Sequence, residues 1–297
     1  MKGKIIMKSK LLVLMLALVM VFALVACQPE APVENEVPGE NTEAPVEGEV
    51  PAEGEVPAEG TEAPVEGEDA APAEDDGKII MATNAYFQPY EFYEGEKIVG
   101  IDAEIAEAIA AKLGKTLEIS DMQFDTILTA VQEGSVDFGM AGMTVTEERL
   151  ESVNFTSSYA SGVQSIIVKE GSPITSVESL YAEGAAYKVG VQLGTTGDIY
   201  ATDDFGAENV QQYANGNEAV LALAGGSVDC VIIDNEPAKA LVAANEGLAL
   251  LDTAYAEEDY AICVAKENTE LLDALNTAID ELIADGTIDA IVAKYIK

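Results

Sequence analysis

From Lys78 to the end of the chain, short apolar runs of strand length alternate with longer stretches in which apolar residues recur every three or four positions. This alternation limits the fold more than any other feature, because strands separated by helices build a largely parallel sheet covered by helices, an α/β protein. Lys78–Thr83 reads as a buried strand. Ile101, Ile105, Ile109 and Leu113 lie four apart and stop at Gly114, the pattern of an amphipathic helix with a glycine end. Strand Leu117–Ser120, a helix from Asp125 to Glu133 and strand Val136–Ala141 follow. Beyond Val163 the alternation restarts, with strands near Ser165–Val168, Lys188–Gln192, Val210–Tyr213 and Asp229–Ile233. A last strand, Tyr260–Val264, leads into two helices, the first of them ended by Gly286.

The first 77 residues are of another kind. Lys2, Lys4, Lys8 and Lys10 precede the apolar run Leu11–Val25, which with Ala26 makes residues 1–26 an export signal. Leu24-Val25-Ala26-Cys27 resembles the lipobox of bacterial lipoproteins. That resemblance implies an acylated Cys27 as the mature N-terminus and a chain anchored through lipid to the outer face of the cell membrane. Residues 28–77 hold 17 acidic side chains and no basic one, in a loose repeat of Glu, Ala, Pro, Val and Gly. Such a stretch buries too little apolar surface to offset the entropy of ordering, so residues 27–77 are expected to be a disordered, extended spacer.

Of the net charge of −39, the part from Lys78 onward contributes 37 acids against 11 bases. A body this acidic is not built to hold nucleic acid or an anionic membrane surface. The chain has no histidine, which removes His-based catalytic triads and His metal sites, and no cofactor or metal motif stands in its place. Among all 297 residues Arg149 is the single arginine. Thr146 reads as a helix N-cap with Glu147 and Glu148 in the first turn, so Arg149 falls at the third helical position, where a cation opposes the helix dipole. A residue placed against its local preference serves something else, and for a guanidinium that is a bidentate grip on an anion.

An internal echo places a second group opposite it. Gly134-Ser135-Val136-Asp137 after a helix and before a strand recurs as Gly226-Ser227-Val228-Asp229. Aligning the two sets Gly142 against Asp234, each just past the carboxyl end of its strand, the edge at which open α/β sheets bind ligands. Two such lobes would face each other across a cleft with Arg149 on one wall and Asp234 on the other, a pairing suited to a zwitterion. The turn Gly194-Thr195-Thr196-Gly197 adds a helix N-terminus whose backbone N–H groups can receive an anion.

Pro89-Tyr90-Glu91-Phe92, Val99-Gly100-Ile101-Asp102, Ala141 to Arg149, Phe155 to Tyr159, Val189 to Thr196, Asp229 to Asp234 and the closing Asp285-Gly286 with Lys294-Tyr295 resemble, in this order and spacing, the polar amino-acid family of bacterial extracellular solute-binding proteins. Within that family it is similar to the glutamine-binding and lysine/arginine/ornithine-binding proteins. The resemblance covers residues 78–297 and implies a two-lobe periplasmic-binding-protein-like (type II) fold with the ligand between the lobes. It implies one lobe of residues 78–158 and 261–297, another of 164–255, and hinges near 159–163 and 256–260. It also implies a monomer that hands its amino acid to the permease of an ABC importer.

Carried over by motif, Arg149 and the Thr196 N–H take the ligand carboxylate. Asp234, the Gly142 carbonyl and Thr144 take the ammonium, and Phe87 and Phe124 flank the side chain. At the side-chain end Asn84 stands where both named relatives have aspartate, and Gln192 and Ile233 stand where the glutamine receptor has lysine and histidine. This points to a neutral, polar amino acid. Cys230 and Cys263 fall in different lobes on this scheme, which implies free thiols. Two other readings share the fold: a dehydratase-like enzyme using a cleft carboxylate, and a ligand sensor beside a membrane receptor. The intact ammonium site argues against the enzyme.

Overall fold

The structure, a computed structural model, describes residues 77–296. The export signal, Cys27 and the acidic spacer lie outside the described residues, and so does Lys297. Strands β1 (Lys78–Thr83), β2 (Tyr86–Phe87), β3 (Glu91–Glu94) and β4 (Lys97–Val99) are followed by helix α1 (Ile101–Lys112), β5 (Thr116–Asp121), α2 (Ile127–Gln132), β6 (Phe138–Gly139), α3 (Glu147–Ser152) and β7 (Val153–Phe155). Next come β8 (Ala160–Lys169), α4 (Val177–Leu180), β9 (Val189–Gln192), α5 (Thr196–Phe205), β10 (Val210–Tyr213), α6 (Gly216–Gly225), β11 (Cys230–Asp234) and α7 (Asn235–Ala244). The chain closes with β12 (Leu248–Leu250), β13 (Ala256–Tyr260), β14 (Cys263–Ala265), α8 (Thr269–Ala284) and α9 (Thr287–Tyr295).

These strands form two principal mixed sheets. One has the order β5-β1-β6-β14-β7, parallel across β5, β1 and β6; the other has the order β10-β9-β11-β8-β12, parallel across β10, β9 and β11. The small sheet β2-β3-β4 flanks the first. The four-residue spacing seen in the sequence becomes the buried face of α1, where Ile101, Ile105 and Ile109 are fully enclosed. Leu275, Ala278, Ile279 and Leu282 of α8 pack into the same core. Cys230 and Cys263 are buried in different sheets, each as a free thiol.

The Gly-Ser-Val-Asp echo is a repeated structural device. After α2, Gly134 turns into the left-handed region (φ 69°), Ser135 N–H donates to Ala130 O at 3.1 Å, and Asp137 accepts from the Ile80 N–H at 2.6 Å. After α6, Gly226 does the same (φ 82°), Ser227 N–H donates to Ala222 O at 2.9 Å, and Asp229 accepts from the Lys188 N–H at 2.7 Å. In both lobes the glycine stops a helix, and the aspartate fastens the incoming strand to its parallel neighbour.

Three elements differ from their sequence reading. The strand expected over Val136–Ala141 is only Phe138–Gly139, because the chain leaves the sheet there to build one wall of the cleft. The expected strand Tyr260–Val264 is two strands: Ala261 N–H bonds Met143 O and Ile262 N–H bonds the Thr156 hydroxyl while the chain passes from one sheet to the other. The helix from Asp125 begins as a 3-10 turn, Phe124–Thr126, before α2. The two connections between the sheets run side by side, with β8 and β13 antiparallel from Ala160↔Tyr260 to Gln164↔Ala256.

Gly226→Ala forces a Cβ into a left-handed backbone while meeting only the distant Lys169 ammonium. A loss of about 1 kcal/mol of stability in urea unfolding is expected, with the secondary structure unaltered by circular dichroism.

Candidate functional site

The carboxyl ends of the parallel strands converge. Thr83 closes β1 and leads to Asn84, Gly139 closes β6 and leads to Ala141 and Gly142, Gln192 closes β9, and Asp234 closes β11. Between them lies a narrow cavity lined chiefly by Asn84, Phe87, Glu91, Phe124, Gly142, Thr144, Arg149, Gln192, Thr196 and Asp234.

Arg149 is buried, 5% exposed. Its position follows from the N-cap: the Thr146 hydroxyl accepts from Arg149 N–H at 3.1 Å, which fixes the first turn of α3 and turns the side chain inward. The guanidinium donates to Thr144 O at 2.7 Å and, across the cleft, to Gly194 O at 3.0 Å, and it lies 5.4 Å from the centre of the Phe124 ring. It gives these protons to carbonyls and not to Glu148 or Glu151. Burial lowers its pKa, with Glu258 and then Cys263 and Asp234 acting in the opposite sense. An arginine so placed stays charged.

On the facing wall the Asp234 carboxylate accepts from Gln164 Nε2 at 2.7 Å and from the Tyr260 hydroxyl. Burial, with Glu258 close by, pushes its pKa from 3.8 up to about 7, against the pull of those two hydrogen bonds. Glu258, also buried, accepts from Thr144 Oγ1 and Gln164 Nε2, each at 3.0 Å. Thr196 opens α5, whose N-cap Thr195 accepts from Asp198 N–H at 3.3 Å, so the Thr196 N–H is one of the helix's unpaired first-turn donors at the cavity wall. The Phe87 ring lies against Gly142, where a Cβ would come within 2.6 Å of it.

At the far end Asn84 and Gln192 join the lobes: Gln192 Nε2 donates to Asn84 Oδ1 at 3.0 Å, and Asn84 Nδ2 donates to Met122 O at 2.7 Å. Ile233 does not line this cavity. Strand neighbours point to opposite faces, so with Asp234 turned inward Ile233 packs into the core, against Gly216.

Reading by motif missed Glu91, Gln164 and Glu258. Glu91 sits within Pro-Tyr-Glu-Phe, and its place between two aromatic residues was the available signal. Glu258 belongs to an acidic run that reads as solvated, yet strand alternation buries Glu258 and Tyr260 and leaves Glu257 and Asp259 outside.

Comparison with known proteins follows the same lines. The sequence profile of the bacterial extracellular solute-binding proteins, family 3, matches residues 79–297. The arginine-binding extracellular protein ArtP of Bacillus subtilis is 31% identical over 227 residues, 73% of this chain and 86% of that protein. The crystal structure of the substrate-binding protein of an amino acid ABC transporter superposes with a TM-score of 0.70 at 36% identity, covering 74% of this chain and 99% of the other. An ancestral arginine-binding protein, known bound to glutamine and bound to arginine, reaches a TM-score of 0.69 at 39% identity, over 74% of this chain and 98–99% of the ancestral chains.

A carboxyl whose folded pKa is raised favours the folded state below its unfolded pKa and loses that contribution as pH rises through the folded value. Without ligand, Asp234 should therefore cost stability progressively from its ordinary 3.8 to about 7. Thermal melts of Asp234→Asn should show a flatter decline than the parent across that window.

Proposed function

Because the chain belongs to the bacterial extracellular solute-binding proteins, family 3, an extracytoplasmic family of receptors with the type II α/β fold and no enzymatic activity, we propose that it binds one free polar amino acid in this cleft and delivers it to the permease of an ABC importer. Its relatives, an arginine-binding protein and amino-acid ABC transporter receptors, support that reading. The observation that carries it is that one buried guanidinium and one buried carboxylate line the same cavity. Arg149 and the Thr196 N–H hold the α-carboxylate, and Asp234 with the Gly142 carbonyl and Thr144 holds the α-ammonium. Phe87 and Phe124 flank the side chain, whose polar end meets Asn84 and Gln192.

The lobes are residues 78–158 with 261–297, and 164–255, and the paired segments 159–163 and 256–260 are the hinge. A ligand bridging the walls stabilises the closed arrangement to the extent that it binds that state better. The receptor acts as a monomer. It is held to the outer face of the membrane by lipid on Cys27, with residues 28–77 as tether. The loss of aspartate at position 84 favours a neutral side chain, and glutamine, which the ancestral relative holds, is the first candidate.

Arg149→Lys keeps the charge but loses the planar fork, and Arg149→Ala loses both. Calorimetry should show amino-acid affinity reduced more than about 30-fold in the alanine variant, the scale for removing one partner of a buried charge pair; parental affinity in Arg149→Ala would refute the site. Cys27→Ala should move the protein from the membrane fraction into the medium, and retention by the membrane would refute the lipid anchor.

A further inference from the structure

The mechanism above leaves two buried carboxyl groups unused. Glu91 on β3 and Asp102 on α1 are both 0% exposed, and Glu91 lines the cavity. Asp102 Oδ2 is well supplied, accepting from Gly142 N–H and from the Tyr159 hydroxyl, each at 2.8 Å. Asp102 Oδ1 and both oxygens of Glu91 are buried without any donor. Two carboxylates side by side in such a place do not both ionise, and a single proton between them satisfies the vacant oxygens. Because Asp102 already receives two hydrogen bonds that favour its anion, the proton belongs on Glu91, which then donates to Asp102.

We propose that Glu91 reads the charge of the ligand's side chain, standing as a neutral acid hydrogen-bonded to Asp102 when that side chain is neutral and releasing its proton to solvent when a guanidinium or ammonium enters. The proposal rests on the amino-acid reading of the cleft and deepens it. The groups facing Glu91 fit it. Asp102, Asp234 and Asp121 are acidic, and Tyr90 and Tyr159 are near but hold their own protons. Among the described residues the only cation lining the cavity is Arg149, which the reading above assigns to the α-carboxylate. Burial and Asp102 raise the Glu91 pKa well above its ordinary value, while Asp102 itself is pushed up only to about 6. The proton balance is simple: one cationic side chain enters, and one proton passes from the Glu91 carboxyl to buffer.

Glutamine and arginine share the same α-groups, so any proton exchanged at Asp234 is common to both and cancels in their comparison. Calorimetry of the intact protein in buffers of different ionisation enthalpy should find about one more proton released with arginine than with glutamine near pH 7. The arginine-to-glutamine affinity ratio should rise with pH by up to about tenfold per unit below the Glu91 pKa. Glu91→Gln, which mimics the protonated acid, should erase the difference in proton count and weaken arginine far more than glutamine. Equal proton release for both ligands, a Glu91→Gln variant that weakens both alike, or no arginine binding at any pH would overturn the proposal. If Glu91→Gln fails to fold, the parental proton count decides alone. Binding of neither amino acid would overturn the reading of the cleft itself.

Discussion

Everything in the cleft depends on an imbalance of buried charge. Among the described residues Arg149 is the one cation lining a cavity that Asp234 and Glu91 also line, while Glu258 and Asp102 are buried and hydrogen-bonded to the lining residues Thr144 and Gly142. Taking a carboxylate out of water is costly unless it is paired, hydrogen-bonded or neutralised by a proton. The chain has no histidine and no second arginine with which to compensate. It uses hydrogen bonds instead: Gln164 and Tyr260 for Asp234, Thr144 and Gln164 for Glu258, and Gly142 and Tyr159 for Asp102. For Asp234, Asp102 and Glu91 those bonds do not offset burial, which raises their pKa values and favours retained protons. The positive charge the cavity lacks is the charge an amino acid brings.

The same groups tie recognition to the shape of the molecule. Arg149, on α3, reaches Gly194 beyond the end of β9, and Asn84, beyond the end of β1, is reached by Gln192 of β9, so both bonds join residues associated with different sheets. Gln164, Glu258 and Tyr260 lie on β8 and β13, the paired strands that run between the sheets. A ligand group replacing one of these contacts therefore acts on a bond that also sets how the lobes meet. Ligand binding and lobe closure draw on a common set of hydrogen bonds, so differential affinity for the closed state requires no separate relay.

Much of this was legible in the sequence because it rests on local rules. Thr146 capping the helix that carries Arg149, the glycine stops and the Gly-Ser-Val-Asp repeat all involve residues within a few positions of one another, and the structure has each of them. The placement of Gly142 against Asp234 followed from the repeat plus the rule that ligands sit at carboxyl strand ends. The illegible parts depend on which side of a strand faces inward at a sheet crossing. Ile233 was carried over as a pocket residue because it stands where the glutamine receptor has histidine, and the pleat turns it into the core. Glu258 looked solvated because it stands among acids, and the pleat turns it in. Glu91 was present in a recognised motif, but its burial against Asp102 depends on α1 packing under β3, a contact that no local pattern encodes.

Glu91 also changes how the substitution at position 84 is understood. Read from the motif alone, asparagine in place of aspartate strips the side-chain end of negative charge and leaves only amides to meet the ligand. The structure retains a carboxyl in the cavity lining, that of Glu91, on a different element and beside Asp102. A carboxyl fixed beside the amides of Asn84 and Gln192 is permanently available as an acceptor. A carboxyl that shares its proton with a buried neighbour is a donor or an acceptor according to what arrives, since the pair titrates as a unit. On the proposal above, selectivity between neutral and cationic side chains is then a question of proton affinity within the pair, to which the Gly142 N–H and the Tyr159 hydroxyl that hold Asp102 contribute.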